Sequence, residues 1–307
     1  MRARRISLSL LAILSFFCMA FGPAVMTDAD IPRRPLTRYQ RRAMKTLPLP
    51  QVSAAAVMLV DITTGQIIYS RNEHERRAPA SLTKIVTALV AMEHGQEDQG
   101  IIIQLSDVYV YSSANINNGE KLALGDLLRI LLLPSDNAAA KAIARELGDG
   151  SIRRFVGWMN DKVASWGLSD THFANPHGLD AKDSYTTAWD MAIIAREAMR
   201  NQRFADIVRR DEDYAAGHWL KNTNKLMNAY PGIIGVKTGT TDLAGECLIA
   251  MVERPQGKVM CVVLGSEDRY RDARLLLDYF YSNYAEVRVD LPQTVQNRYR
   301  DEANAWH

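Results

Sequence analysis

The sequence predicts an α/β (α+β) fold in which an antiparallel five-stranded sheet is flanked by helices and carries a helical lobe. Strand-like segments joined by short turns occur near both ends of the chain, whereas the middle is helical by its apolar periodicity. Hairpin-connected strands at both ends favour one antiparallel sheet built from the two ends, with the helical middle packed on its face. A cleft between such a lobe and the sheet is a natural ligand site.

The individual elements follow from periodicity and turn residues. A hairpin is predicted from strands at 53–60 and 66–70, because 61–65 ends in a glycine turn. Further strands are predicted at 101–105, 233–237, 246–252 and 259–264. Helices are predicted from about residue 81, and at 125–133, 138–147, 151–166, 186–199 and 268–281, the last with Leu275, Leu276, Leu277 and Phe280 facing inward. The polar segment 109–121 is predicted as a loop.

The N-terminal part of the chain differs in composition from the rest. Three arginines precede an apolar run at 6–26, so residues 1–29 are predicted to be a signal peptide or an N-terminal anchor. Residues 30–52 form a basic, Pro-rich linker. We therefore expect export to the periplasm or another extracytoplasmic part of the cell envelope, with membrane contact only through 6–26 if that run is not cleaved.

The positive charge is concentrated in this leading part. Residues 1–50 contain nine Lys or Arg and two Asp, a balance of +7, which leaves −5 for the rest of a chain whose net charge is +2. Since the basic residues are not spread over the part predicted to fold, no nucleic-acid partner is expected.

Ser81 and Lys84 lie one helical turn apart at the predicted start of a helix. Pro79 disfavours helix at Ala78, and Ser81 is a good residue for a helix start. Residues three apart share a helical face, so the Lys84 amine can approach the Ser81 hydroxyl beside the unpaired N–H groups of the helix end. This pattern combines a nucleophile, a base and an oxyanion site. Taken alone, it is more typical of an ordinary helix N-terminus with a surface lysine.

Two later segments complete an ordered set. Pro134 ends the helix at 125–133, which places Ser135 and Asn137 in a tight connection, and Lys237 stands at the end of an apolar strand. Ser-x-x-Lys, Ser-x-Asn and Lys-Thr-Gly in this order are the motifs of penicillin-binding proteins and class A β-lactamases. The chain resembles the low-molecular-mass penicillin-binding proteins, the D-alanyl-D-alanine carboxypeptidase family of serine peptidases. The matching segments are 79–84, 119–121, 132–139, 175–180 and 235–240, within an overall resemblance from about 54 to 281.

The resemblance implies a β-lactamase/transpeptidase-like catalytic domain at 53–285 and a short tail at 286–307. Many members continue into a β-rich domain and an amphipathic membrane helix, whereas this tail is polar throughout. The implied substrate is a peptidoglycan stem peptide, and β-lactams are the implied covalent inhibitors.

The resemblance also implies a role for each motif residue. Ser81 would attack the carbonyl of the penultimate D-alanine to form an acyl-enzyme, and Lys84 would be its base. Ser135 would relay a proton to the leaving amine, and Asn137 would hold the substrate amide. A nearby Lys237 would help Lys84 to stay neutral, because a second cation and burial both lower the pKa of a lysine.

Four further residues are implied to bind the substrate. Thr238 would meet the terminal carboxylate together with the motif lysine, and Gly239 would let the strand approach the ligand closely. The backbone N–H groups of Ser81 and Thr240 would form an oxyanion hole. Arg269 is a candidate for steering the carboxylate, although a solvated helix face is the more common interpretation of such an arginine.

Other functions compete with carboxypeptidase activity. A D,D-endopeptidase that cleaves peptidoglycan crosslinks would share this short architecture. A class A β-lactamase would need a deacylating Glu in a Glu-x-x-Leu-Asn context, which none of Glu146, Glu197 and Glu212 has. A non-catalytic penicillin sensor is disfavoured by the intact motif residues.

No metal and no cofactor are expected. His172, His177 and Asp180 lie close in sequence, but no His-Glu-x-x-His motif or cysteine cluster accompanies them. Cys247 and Cys261 both lie in apolar, strand-like runs, where a disulfide and two buried thiols fit equally well.

Overall fold

The computed structural model describes residues 48–112 and 115–284. In chain order its strands are β1 (Ala56–Asp61), β2 (Gln66–Arg71), β3 (Gly100–Ile102), β4 (Lys121–Ala123), β5 (Glu212–Ala215), β6 (His218–Lys221), β7 (Ile233–Thr241), β8 (Gly245–Arg254) and β9 (Gly257–Ser266). Its helices are α1 (Lys84–His94), α2 (Leu105–Val108), α3 (Leu124–Leu132), α4 (Asn137–Leu147), α5 (Ile152–Ser165), α6 (Ala188–Arg200), α7 (Gln202–Val208) and α8 (Arg269–Tyr279). A 3-10 turn at Ala80–Thr83 precedes α1, and a π-helical turn at Phe280–Tyr284 follows α8.

Five strands form the main sheet, in the order β2-β1-β9-β8-β7, and every neighbouring pair is antiparallel. The strand β1 from the N-terminal part pairs with β9 from the C-terminal part. The predicted five-stranded antiparallel sheet assembled from both ends of the chain is therefore confirmed.

The sheet separates two apolar cores. Along β1, Met58 and Val60 belong to the core shared with the helical lobe, whereas Val57 and Leu59 belong to the core beneath α8. This alternation follows from the two-residue period of a strand, and β1 is buried throughout because both faces are covered. The helical lobe packs on one face of the sheet, and α8 closes the other.

Within the lobe, α3 is the helix that the sequence predicts to be buried almost all round. Seven of its nine residues are buried. Pro134 follows the helix, and the chain turns through Ser135 into α4, whose small alanines are packed inside the lobe. The tight connection predicted between these two helices is therefore present, and it carries Ser135.

The helix start at Ser81 differs from the prediction. Ser81 lies inside the 3-10 turn, its hydroxyl does not cap the helix, and α1 begins at Lys84. Ala80 has a φ of 47°, a left-handed conformation that costs an L-residue roughly 1–2 kcal/mol. The chain thus bends sharply just before Ser81, which turns the serine out of the helix end.

The prediction of which residues of α8 face inward is partly wrong. Leu276, Leu277 and Phe280 are buried, but Leu275 is 36% exposed. Successive residues of an α-helix are about 100° apart, so three consecutive leucines do not all face one core.

Several elements were not predicted, namely the helices α2 and α7, the strand β4 and the β5–β6 hairpin. The strand predicted at 101–105 is Gly100–Ile102, and Leu105 begins α2 instead. The two cysteines are free thiols in the interior, so the buried-thiol alternative holds. Across the described ranges, 48–112 and 115–284, no helix has both the length and the apolar character needed to cross a membrane. The predicted leader, the linker up to residue 47 and the tail at 286–307 lie outside the described residues.

Candidate active site

The side chains of Ser81 and Lys84 meet at the start of α1. The distance from Lys84 Nζ to Ser81 Oγ is 2.8 Å. Strand β7 runs directly beside this turn, and a Cβ added at Gly239 would lie 2.8 Å from Ser81 N and 2.9 Å from Ala80 Cβ. Only glycine therefore allows the strand and the serine turn to approach this closely.

Lys84 is completely buried between the sheet and the lobe. Its amine also donates to Asn137 Oδ1 and to the carbonyl of His177, each at 2.6 Å. Burial lowers the pKa of Lys84 well below its ordinary value, and the positive charge of Lys237 lowers the pKa further. A neutral amine is thus favoured at this position.

The neutral amine has a defined orientation. It has two N–H donors and one lone pair, whereas the carbonyl of His177 and Oδ1 of Asn137 are only acceptors. Both N–H groups are needed for those two partners, so the lone pair is left to accept the proton of the Ser81 hydroxyl. This arrangement is what a general base for a serine nucleophile requires.

Ser135 lies in the α3–α4 connection with a φ of 65°, again a left-handed conformation. Its Oγ is buried and has no hydrogen-bond partner among the described residues. Such a hydroxyl is costly unless a substrate or solvent pairs with it. Asn137, the first residue of α4, is fixed by donation from Nδ2 to the carbonyl of Tyr111 at 2.7 Å. Asp136 caps α4, accepting from Ala139 N at 2.9 Å, which is a structural role.

Lys237 is the second buried amine of the site, 1% exposed in the middle of β7. Burial lowers its pKa to about 7, with a further contribution from the charge of Arg269. Lys237 is therefore poised between the charged and the neutral form at neutral pH.

Thr238, the next residue of β7, is linked to the helical lobe through Thr223. The two threonine hydroxyls are 2.6 Å apart. Thr223 N donates to the carbonyl of Leu133 at 3.1 Å, and the Tyr270 hydroxyl donates to the carbonyl of Thr223 at 2.8 Å. Thr223 thus connects the strand edge of the cleft with the α3–α4 connection that carries Ser135.

Arg269 is buried, so the expectation of a solvated helix face is wrong for this residue. Its guanidinium donates to the carbonyl of Gly239 at 2.7 Å, to the carbonyl of Cys247 at 3.1 Å and to the hydroxyl of Thr240. An ion pair with Glu246, at 3.1 Å, holds the guanidinium in place. Arg269 therefore braces β7 from the side of α8 and adds positive charge next to Lys237.

The turn at 175–180 lies beside Lys84 and closes the site on that side. Burial and the charges of Lys84 and Lys141 lower the pKa of His177 to about 3, so its ring is neutral. Asp180 accepts a hydrogen bond from Leu243 N at 3.0 Å. Within the described part of the chain, no group of three or more His, Cys, Asp or Glu side chains could hold a metal ion.

Sequence reasoning missed three members of this site. The carbonyls of His177 and Tyr111, which fix Lys84 and Asn137, have no side-chain signature, because every residue has a carbonyl. Thr223 lies in a polar segment, 221–225, that is typical of any loop before a strand. Its proximity to Thr238 comes only from the tertiary fold.

The buried charge of Lys237 predicts that Lys237→Met raises the melting temperature at pH 6. The folded lysine loses its proton near pH 7, but the unfolded one only near 10.5. Between pH 7 and pH 10.5 the unfolded chain binds more protons than the folded one, so the stability of the wild type rises with pH. Below pH 7 the lysine is charged in both states, and the folded protein bears the full cost of burying that charge. The gain from methionine should therefore shrink towards pH 10. Thermal melts at pH 6 and pH 9 measure it, with the exposed Lys221→Met as the control; a lower melting temperature of Lys237→Met at pH 6 would contradict the argument.

The fold and the site agree with comparisons to known proteins. Residues 42–268 match the family model described as D-alanyl-D-alanine carboxypeptidase, peptidase S11. The chain is 36% identical over 247 residues to the D-alanyl-D-alanine carboxypeptidase DacF of Bacillus subtilis, a match that covers 75% of this chain and 63% of that protein. It is 32% identical over 292 residues to DacD of Salmonella typhimurium, covering 90% of this chain and 71% of the relative.

A solved structure shows the same architecture. The DD-transpeptidase of Streptomyces K15 superposes with a TM-score of 0.72 at 31% identity, covering 77% of this chain and all of that one. The matches thus span 63% and 71% of the curated Bacillus and Salmonella relatives and all of the solved Streptomyces chain. By sequence and by fold, it belongs to the D-alanyl-D-alanine carboxypeptidase family of serine peptidases.

Proposed function

We propose that this protein is an exported serine-type D-alanyl-D-alanine carboxypeptidase that acts on peptidoglycan stem peptides through an acyl-enzyme. The observation that carries the proposal is the 2.8 Å contact between Ser81 Oγ and the buried amine of Lys84. The pKa of that amine is lowered well below the ordinary value, so it is available as a base. Family membership supports the same chemistry.

Acylation begins when the lone pair of Lys84 takes the proton of the Ser81 hydroxyl. The serine oxygen attacks the carbonyl carbon of the penultimate D-alanine, and the negative charge moves to the carbonyl oxygen. The N–H groups of Ser81 and Thr240 receive this oxyanion, since Gly239 brings β7 beside the serine turn. Loss of a comparable donor in other enzymes costs about 3 kcal/mol.

Collapse of the tetrahedral intermediate breaks the peptide bond. The leaving D-alanine nitrogen takes up a proton, which Lys84 supplies through the hydroxyl of Ser135. The buried and otherwise unpaired Oγ of Ser135 is suited to such a relay. Water then attacks the ester carbonyl, with Lys84 taking its proton, and Lys84 returns that proton to Ser81 Oγ as the bond between the acyl carbon and Oγ breaks. Asn137, fixed between Lys84 and the carbonyl of Tyr111, presents its amide to the substrate.

The terminal carboxylate of the substrate is assigned to Lys237 and Thr238. A bound carboxylate favours the charged form of Lys237, whose pKa of about 7 in the free protein lets it gain a proton readily. Arg269 is buried behind the strand, where it fixes Thr240 by a hydrogen bond. It is assigned a steering role through its positive charge, without direct contact with the carboxylate. Thr223 positions Thr238.

β-Lactams are expected to acylate Ser81 and to remain bound. The segment between Asn137 and Lys237 is described without a gap, and its glutamates are engaged away from the serine. Glu146 pairs with Arg145, and Glu197 pairs with Arg196 and Arg200, whereas Glu212 is exposed on β5. None of these three glutamates is in the Glu-x-x-Leu-Asn context of a deacylating glutamate, so rapid antibiotic hydrolysis is disfavoured.

Export is part of the proposal. The apolar run at 6–26 behind three arginines supports it, and a cell-wall substrate requires it. If the run is not cleaved, it is the proposed membrane contact.

Fluorescent penicillin is expected to label the wild type covalently and to leave Ser81→Ala unlabelled. The exposed Ser169→Ala is the matched control and should label normally.

Mass spectrometry of the products from purified muropeptides then identifies which peptide bond is cleaved. Loss of one terminal D-alanine from pentapeptide monomers supports the carboxypeptidase, whereas conversion of crosslinked dimers to monomers supports the D,D-endopeptidase. Labelling that survives in Ser81→Ala would remove Ser81 as the nucleophile, and no turnover of either substrate would favour a penicillin sensor.

A further inference from the structure

The turn between β7 and β8 carries an exposed leucine. Leu243 is 69% exposed, whereas the next residue, Ala244, is buried in the core shared with the helical lobe. Thr241 and Gly245 are paired in the strand register, so Leu243 lies at the tip of the connecting turn. It follows Thr240, the proposed oxyanion donor, by three residues, which places their Cα atoms at most about 11 Å apart.

A hydrogen bond ties Leu243 to the turn on the other side of the site. Leu243 N donates to Asp180 Oδ2 at 3.0 Å. Asp180 ends the turn at 175–180, in which the carbonyl of His177 accepts from the proposed base Lys84 at 2.6 Å. Two segments that each adjoin the reacting groups therefore meet at the contact between Leu243 and Asp180.

These contacts close a ring around one end of the cleft. The ring runs from Lys84 through the turn at 175–180 to Leu243. It returns along β7 to Gly239, where an added Cβ would lie 2.8 Å from Ser81 N. The contact between Ser81 Oγ and Lys84 Nζ, at 2.8 Å, completes the ring. Leu243 thus lies on the rim of the active site.

The substrate runs along β7 towards Leu243. Because β7 is the outermost strand of the main sheet, an extended peptide can lie along its free edge. The proposed mechanism places the terminal carboxylate of the substrate at Lys237 and Thr238, and the attacked carbonyl oxygen at Thr240 N. The part of the substrate that stays in the acyl-enzyme therefore continues past Thr240, away from Lys237.

One residue of the substrate comes to the level of this turn. Successive Cα atoms are about 3.8 Å apart, and a carbonyl carbon lies about 1.5 Å from its own Cα. The Cα atom of the residue before the penultimate D-alanine is therefore about 5 Å beyond the attacked carbon. A side chain with a four-carbon stem extends roughly 5 Å further, which is enough to reach Leu243.

We propose that Leu243 and Asp180 determine specificity for the residue before the penultimate D-alanine, and that they select a long aliphatic side chain that ends in an ammonium group. This inference rests on the proposed function, which sets the direction of the substrate. The exposed side chain of Leu243 covers the aliphatic stem and removes it from water. The exposed carboxylate of Asp180, fixed through Oδ2, pairs with the ammonium. A diamino acid has both parts.

The test compares three peptides, Nα-acetyl-X-D-Ala-D-Ala, in which X is L-lysine, L-norleucine or L-alanine. Norleucine keeps the aliphatic stem of lysine without the amine, and alanine lacks both. Release of D-alanine by the full chain is measured, and we expect the kcat/KM of the wild type to fall in the order lysine, norleucine, alanine. Leu243→Ala should reduce the norleucine-to-alanine ratio of kcat/KM about three- to tenfold, because the apolar contact is lost.

Asp180→Asn isolates the charge. The amide oxygen of asparagine can still accept from Leu243 N, but the negative charge is gone. This variant should reduce the lysine-to-norleucine ratio about two- to fivefold, as expected for an exposed ion pair, and keep the norleucine-to-alanine ratio. Leu275→Ala, an exposed leucine on α8, is the matched control and should keep both ratios.

The outcomes separate specificity from the reaction itself. Equal kcat/KM for the three peptides, or unchanged ratios in the two variants, would overturn the proposal. A wild type that is labelled by fluorescent penicillin but releases no D-alanine would count against the carboxypeptidase instead. The same peptides then compete with penicillin for Ser81, and their apparent affinities are expected to follow the same order. Equal affinities in that competition would overturn the assignment of Leu243 and Asp180 without any need for turnover.

Discussion

Lys84→Met is expected to lower the rate of acylation by fluorescent penicillin about 10²–10⁴-fold at pH 7.5, the range typical of a lost general base. The amine is completely buried, and it lies 2.8 Å from Ser81 Oγ. Methionine keeps the approximate length and the apolar stem of the side chain but has no lone pair of comparable basicity. The hydroxyl of Ser81 then has no group to take its proton.

The pH dependence of the wild type gives this prediction a second measurement. The pKa of Lys84 is lowered by burial and by Lys237, so the neutral base is present at neutral pH. Acylation should fall as the pH drops through that lowered pKa, because the ammonium form has no lone pair to accept a proton. In Lys84→Met this acidic limb should be absent from the residual rate. Time courses of labelling between pH 5 and pH 9 measure both features.

Lys141→Met is the matched control for removal of a lysine near the site. Its charge also acts on His177, but its amine donates to the carbonyl of Ser106 and does not contact Ser81. We expect labelling of this control within about threefold of wild type, consistent with a small surface effect. Circular dichroism establishes that both variants are folded. Near-normal labelling of Lys84→Met would mean that another group activates the serine.

The sheet could be predicted from the sequence because its signal is local. β-Prone apolar runs separated by glycine-containing turns indicate β1, β2, β8 and β9, and the hairpins at the two ends favour one antiparallel sheet. The β5–β6 hairpin was missed, since each strand has only four residues. Its turn has positive φ at both Ala216 and Gly217. Such a turn is usually signalled by Asn-Gly or Asp-Gly, and an alanine at the first position gives no such signal.

The motif residues of the site could be predicted from the sequence, but the groups that hold them in place could not. Ser81, Lys84, Ser135, Asn137 and Lys237 came from a resemblance in which order and spacing act together, and the fold brings Lys84 into contact with Ser81 and Asn137. The helix was predicted to begin at about Ser81, whereas a 3-10 turn covers Ala80–Thr83 and the α-helix begins at Lys84. The left-handed Ala80 packs against the distant turn at 175–180 and against Gly239 of β7, and such long-range contacts cannot be seen in the local sequence.

That distant turn gives the second large prediction, for Gly178→Ala. Gly178 has a φ of +85°, and a Cβ at this position would lie 1.9 Å from the carbonyl oxygen of Ala80 and 2.8 Å from Thr83 Oγ1. The methyl group cannot be placed without moving either the turn or the backbone just before Ser81. We expect a loss of about 2–4 kcal/mol in the free energy of unfolding, from the left-handed strain together with the overpacking.

The same substitution should reduce acylation in the protein that is still folded. The carbonyl of the neighbouring His177 accepts from Lys84 at 2.6 Å, so displacement of the turn removes a partner that orients the base. A misplacement of about 1 Å can cost roughly 10²-fold in rate. Urea denaturation and penicillin labelling, measured at a temperature where the variant is folded, report the two effects separately.

Gly150→Ala separates the clash from the backbone strain. Gly150 has a φ of +81°, but a Cβ there would meet nothing within 4 Å. It should therefore lose only the conformational part, about 1 kcal/mol, and label at the wild-type rate. Equal stability and equal labelling of the two variants would show that the turn yields to the methyl group without consequence. A specific loss in Gly178→Ala would instead establish that close packing of the turn at 175–180 against Ala80 holds Ser81 and Lys84 in reacting geometry.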